Sequence, residues 1–420
     1  MTELALAEKD ITTIRRLAEQ KARLAEDPVN VERRNAWYAH DSGGDSRPMI
    51  LAEHGGVADE KKLRPSHEPG CEDDWARGIE SAIVNEIFSF DVLKTDEVVE
   101  SAWDVGWQVS STGYGVEAEH HRSEQTSVMG AESWDAAIQD LDAEFHGLTP
   151  RTFSVDREAT LAAKQRLEAL FDGILEVRLR GMPWWSMGMT GVASQVVGLE
   201  GLMLEMLDNP EGIHRLMAFL RDDHLAAVEW YANEGLLTLN NENDYIGSGT
   251  RGYSRDLPDT SSHNGHDVEP GDLWVLLESQ ETVGISPEMF EEFVFPYQLS
   301  VAERFGRCYY GCCEPVHSRV HLIKQLPGIA RISVAPWADQ AVMADECGRE
   351  IVFSRKPNPT LISTATVDED AIRADLQHTL EVARGCRIEL IMKDVHTLNN
   401  EPHRIVRWVE LAREAVDATT

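Results

Sequence analysis

The chain has 420 residues, 42% of them hydrophobic, and a formal charge of -34 at neutral pH. Such a length exceeds one simple domain and allows a large core. The charge excludes a binder of duplex nucleic acid or of an anionic membrane, because phosphates are repelled over most of the surface and no basic run offsets this. Six cysteines, at 71, 308, 312, 313, 347 and 386, are too few and too clustered for a disulfide framework in a chain this long. Together with an N-terminus that lacks a signal pattern and the absence of any long apolar run, they lead us to expect a reduced, cytoplasmic, soluble protein.

Apolar residues at helical spacing predict an amphipathic helix over residues 10–26, and the reading of residues 1–45 is an N-terminal helical extension. A strand is expected over 48–53, a helix over 72–88 and a strand over 98–110. Residues 117–133 are acidic, contain His120 and His121, and show no periodicity, which reads as a solvated loop and a candidate lid. A helix over 159–171, a strand over 175–181 and the loop holding Trp184 and Trp185 follow. Helices are expected over 198–207 and 210–234, the second capped by Asn209 before Pro210.

A strand over 236–239 then runs into Asn240, Asn241, Glu242 and Asn243, a polar tetrad of the kind found at the mouth of a barrel. Residues 250–271 read as an irregular excursion. From there strand and helix alternate: strand 273–277, helix 286–305, the stretch from Cys308 to His317, helix 317–325, strand 330–334, helix 338–348, strand 351–354, helix 368–384, strand 387–392 and helix 402–416. Alternation of this kind predicts parallel strands with crossover helices, and one (β/α)8 domain over 46–420.

In a barrel the residues that follow each strand converge on one pocket. Glu278 and Gln280 share a face of an extended segment and are candidate catalytic groups, with Asn241 and Glu242 beside them. Trp184, Trp185, Tyr310 and Trp337 are candidate walls for a methylated cation or an aromatic ring, and Arg355 and Lys356 a candidate clamp for a phosphate or a carboxylate. Cys312, Cys313 and His396 are candidate metal ligands, although a buried cysteine is as often a small hydrophobe. No Walker loop and no GxGxxG after a strand is present, which disfavours nucleotide cofactors.

Three segments, residues 198–211, residues 285–297 and Tyr310-Gly311-Cys312-Cys313, resemble in order and spacing the uroporphyrinogen decarboxylase superfamily. The resemblance covers the chain from about residue 175 onward. It implies an α/β fold, a distorted (β/α)8 TIM barrel, and it is similar to the methyltransferase branch more than to the decarboxylases. Decarboxylases of the superfamily carry arginines after the first strand, whereas Met49-Ile50-Leu51-Ala52-Glu53-His54 has none. The methyltransferases use a His-x-Cys pair and a later Cys for zinc; here Tyr310-Gly311-Cys312 stands at the pair and His396 near the later Cys.

The resemblance therefore implies transfer of a methyl group between a small methylated compound and a thiol or a corrinoid (cobalamin-type) partner protein, with zinc as a metal and Cys312 as its one matching ligand. The alternatives are a decarboxylase-like lyase acting on a small acid and a non-catalytic corrinoid- or tetrapyrrole-binding protein.

Overall fold

The computed structural model describes residues 6–44, 46–54, 70–122, 132–259 and 267–419. Six strands, numbered in chain order β1 (Met49–Ala52), β2 (Trp274–Leu277), β3 (Arg307–Tyr310), β4 (Ile329–Val334), β5 (Val352–Arg355) and β6 (Ile388–Met392), form one parallel sheet in the spatial order β1-β6-β5-β4-β3-β2. Helices such as Gln340–Cys347 and Glu369–Val382 connect them, as the alternation of apolar runs predicts. The protein is thus α/β.

The two faces of the sheet differ. Ile50, Val275, Tyr310, Ile332, Val334, Phe353 and Leu390 point one way, into the large core shared with the helices. Their alternate neighbours point the other way, and these include Tyr309, Arg331, Ser333, Ser354 and Glu389, all fully buried. That polar face is covered by a short hairpin, Tyr245–Gly247 paired with Thr250–Arg251. Thr250 donates to Glu389 at 2.9 Å, and Arg331 donates to the Thr250 hydroxyl at 2.6 Å and to the Arg251 carbonyl at 2.7 Å. Gly249 needs to be glycine: φ is +92°, and a Cβ there would lie 2.6 Å from Ile391 Cγ2.

A closed eight-strand ladder is not present among the described residues. Two further parallel strands, Ala102–Val105 and Glu176–Leu179, pair with each other and stand apart from the six. Side chains take the place of a neighbouring strand at both edges of the sheet. At β1 the Asp96 carboxylate accepts from the Ile50 amide at 2.7 Å. At β2 the Asn240 side chain accepts from the Trp274 amide at 2.9 Å and donates to its carbonyl at 3.0 Å. The strand expected over 236–239 is for that reason not a strand: of that stretch only Asn240 bonds to the β2 edge, and the Leu276 carbonyl there accepts instead from the Met187 amide at 2.9 Å.

Other expectations shift as well. The strand expected over 98–110 is two pieces, Ala102–Val105 and Val109–Ser111, the second antiparallel to Phe153–Val155. The expected loop over 117–133 contains an exposed hairpin, Glu119–Arg122 with Glu132–Asp135, whose tip lies outside the described residues. The helix expected over 286–305 divides at Val294 into Pro287–Phe293 and Phe295–Ala302, as Pro296 in the following turn requires. Asn209 caps its helix as expected, accepting from Gly212, and Ser286 caps Pro287–Phe293 in the same way, accepting from Met289.

The N-terminal helices are tied to the rest. Glu8–Ala25 packs on Asp74–Phe88 through Ile14, Leu17, Ile79 and Ile83. Pro28–Asp41 ends in a buried carboxylate, Asp41, that pairs with Arg307 at 2.8 Å and Arg331 at 3.0 Å beneath the sheet. No described helix is long and apolar enough to cross a membrane.

Candidate functional site

The site lies at the carboxyl ends of β2, β3, β5 and β6, on the hairpin side. Gly311 leaves β3 with φ +92° and turns the chain so that Cys312 is buried and Cys313 exposed. Ser333 holds this turn by donating to the Cys312 carbonyl at 2.7 Å. The two sulfurs are 3.5 Å apart. Lys393 Nζ, just past β6, lies 3.9 Å from Cys312 Sγ, and the Ser248 hydroxyl at the tip of the hairpin lies 3.9 Å from the same sulfur. The hydrogen bond from Cys313 comes first in holding the Cys312 thiol down to about 7, and Lys393 assists against the cost of burial. Cys313 moves the other way, first because its hydrogen bond to Cys312 keeps its proton, and its thiol lies 3.4 Å from Asp394 Oδ2.

Glu314 joins the thiol segment to the acid segment. Its carboxylate is fully buried and accepts from the Ser279 amide at 3.0 Å and the Cys312 amide at 2.8 Å. Glu278, beside Ser279, is 6% exposed and accepts from Ser186 at 3.1 Å and the Gln280 amide at 3.2 Å. Burial, then the neighbouring charges of Glu281 and Glu314, push its carboxyl up to about 8, so it carries a proton at neutral pH. Gln280, Glu281, Glu314, Cys313, Trp134 and Met203 line a cavity of about 430 Å³ next to the thiols.

Lys356 lies deeper. Its ammonium donates to Tyr309 at 2.8 Å and to the Ser354 hydroxyl at 2.7 Å, and burial lowers it to about 7.

The structure brings some of the sequence candidates together and separates others. Cys312, Cys313, Glu278, Gln280 and Lys356 belong to the region just described. Tyr310 and Arg355 lie on the opposite face. Tyr310 bonds Ser279 and Gln298, each at 2.9 Å, and Arg355 pairs with Asp375 at 3.2 Å. Trp184 packs edge-on against Tyr231 and Phe305, within the helical core. Trp185 is half exposed against Tyr245, 5.1 Å between rings, and Trp337 is 65% exposed.

Asn241 and Glu242 are engaged in the loop itself. Asn241 donates to the Leu257 carbonyl at 2.6 Å, and Glu242 pairs with Arg178 at 3.0 Å. Position after a strand places Glu314 and Lys393 at the mouth of the site without giving either a role, whereas sequence reasoning missed Ser248; the run Gly247-Ser248-Gly249 was the available signal.

Two thiolates on a tetrahedral zinc sit roughly 3.8 Å apart, given a zinc–sulfur bond of about 2.3 Å. The spacing of Cys312 and Cys313 is close to that. A third donor does not converge on them among the described residues, and His396 is exposed. The one trio of donor atoms there lying within 4.8 Å of one another is Glu119, His121 and Asp135, on the exposed hairpin. The described residues thus do not complete a zinc site.

No family model matches the chain, and no curated protein matches it. Among solved structures, the chain is similar to a methyltransferase from Methanosarcina mazei at 10% identity, with a TM-score of 0.50 over 92% of this chain and 98% of the other. At that identity the likeness is one of fold.

Proposed function

We propose that this chain is an enzyme, a methyltransferase that moves a methyl group between a small methylated compound and a thiol or a corrinoid carried by a partner protein. The observation that carries the reading is the Cys312 sulfur held beside Lys393 at the end of β3, with the protonated Glu278 fixed to the same turn through Glu314. The fold likeness to a methyltransferase supports it. With the family reading go a distorted (β/α)8 barrel over 46–420, an N-terminal extension over 1–45 and a cytoplasmic setting.

The chemistry asks for two things of the protein. A leaving group must be protonated as its bond to the methyl carbon breaks, and Glu278 holds a proton for that purpose at neutral pH. A soft nucleophile must be available, and Lys393 favours the anionic form of Cys312. A corrinoid, when a partner presents it, would supply a carrier for the methyl group. The lyase alternative loses one of its two cations, since Arg355 faces Asp375 on a helix and not the site.

The test follows methylcobalamin formation by visible absorption, using purified chain, chemically reduced cobalamin and a panel of methylated amines, ethers and thiols. Transfer with at least one donor, lost in Cys312→Ser and slowed about 100-fold in Glu278→Gln, is expected. Transfer unaffected by Cys312→Ser, or none with any donor, overturns the reading. Carbon dioxide release from small acids would favour the lyase, and cobalamin or porphyrin binding without turnover the binding protein. A metal-assisted version with Cys312 and Cys313 among the ligands would need a further donor, the role expected of His396, that the described residues do not bring to them; metal content equal in wild type and Cys312→Ser rejects it.

A further inference from the structure

We propose that Cys312 and Cys313 are a modification site, a vicinal dithiol that hydrogen peroxide closes to a Cys312–Cys313 disulfide. The inference does not rest on methyl transfer. Its basis is geometric: the sulfurs already lie 3.5 Å apart, Cys313 is exposed, and the Lys393 ammonium lies 3.9 Å from Cys312 Sγ, where it steadies a thiolate. Asp394 lies 3.4 Å from Cys313 Sγ and is placed to take its proton. Cys313 is the one exposed cysteine, so the pair is where a peroxide meets thiols first, with Cys312 buried directly beside it.

The step balances as follows. The Cys312 thiolate attacks one oxygen of the peroxide, the O–O bond breaks, and hydroxide leaves and is protonated to water. Cys312 is then a sulfenic acid. The Cys313 sulfur attacks the Cys312 sulfur, the S–O bond breaks, and a second water leaves with the proton that Cys313 gives up. Two thiols are oxidised by two electrons and one peroxide is reduced to two waters.

Neighbouring Cα atoms across a trans peptide are about 3.8 Å apart, shorter than the roughly 4.4–6.8 Å of ordinary disulfides. The ring that forms is distorted, and a dithiol reductant opens it readily. Closure removes the thiolate from Lys393 and the free thiol from the wall of the cavity at Cys313.

The test treats the full chain with one equivalent of hydrogen peroxide and maps the tryptic peptide over residues 308–319. Expected is a loss of two hydrogens confined to Cys312 and Cys313 and reversed by dithiothreitol. In Cys313→Ser, dimedone should trap a sulfenic acid at Cys312. Binding of one equivalent of phenylarsine oxide by wild type, weakened about 100-fold or more in either serine variant, checks the dithiol in the folded protein without oxidation. Free thiols after treatment, direct conversion to sulfinic acid, or a bond to Cys308 instead overturns the proposal.

Discussion

Replacing Glu278 by Gln keeps the shape of the protonated carboxyl and removes its titration. In the folded protein the group titrates at about 8, against 4.5 when exposed, because burial comes first and the charges of Glu281 and Glu314 add to it. A shift of that size corresponds to a ceiling of about 5 kcal/mol, at about 1.4 kcal/mol per pK unit. The sign follows from proton binding. The folded state holds the proton more tightly than the unfolded state, so the contribution to stability is complete below pH 4.5 and is lost as pH rises to 8. Wild type and Glu278→Gln should therefore unfold at similar urea concentrations at pH 5. By pH 9 the variant should be the more stable by up to about 5 kcal/mol, less whatever local opening relieves. Urea midpoints and slopes measured at unit steps of pH provide the comparison. A difference between the two proteins that does not change with pH would show that Glu278 titrates normally, and the proposed proton donor would lose its basis.

Arg331 is fully buried between Asp41 and Glu389, and Arg331→Met should cost about 3–5 kcal/mol in chemical denaturation because it takes from the buried Glu389 the cation that pairs with it and leaves Asp41 with Arg307 alone. Gly249→Ala adds a methyl 2.6 Å from Ile391 at a positive φ, and a loss of about 2–4 kcal/mol should accompany displacement of the hairpin, seen as faster amide exchange at Thr250 and Arg251. Burial lowers the fully buried His40 from 6.5 to about 4. Its contribution is therefore intact above pH 6.5 and lost as pH falls toward 4, and the same unfolding series with His40→Gln should show a shallower acid limb.

Much of the second half of the fold was legible because its signals are local. Apolar runs such as Val275–Leu277 and Ile388–Met392 read as buried parallel strands, and Asn209 before Pro210 and Ser286 before Pro287 as helix starts. Period two was the signal left unused at the site. Leu276, Tyr309, Ser354 and Ile391 belong to one face, so Tyr309 and Lys356 line the polar side while Tyr310 and Arg355 point to the helices. The hairpin Glu119–Arg122 was illegible because both of its faces are exposed and carry no alternation.

The edge at 236–240 was misread for a different reason: an apolar run followed by polar residues looks like a strand end, and nothing in composition says that one asparagine side chain will do the bonding. The role of Glu314 was not legible because it lies in the two amides it receives from separate segments, a relation no local pattern records.

The hairpin from Tyr245 to Arg251 also sets a limit on what the protein can admit. A parallel sheet that curves around an empty centre offers depth to a guest; here the depth is taken by the chain's own backbone, from Gly247 against Tyr309 to Gly249 against Ile391. A guest meets Ser248 as a floor only one sulfur's contact below Cys312. Selection by size would then act at the rim, where the cavity of about 430 Å³ lies beside Cys313. Trimming the hairpin, and not widening the rim, is the change that would enlarge the repertoire.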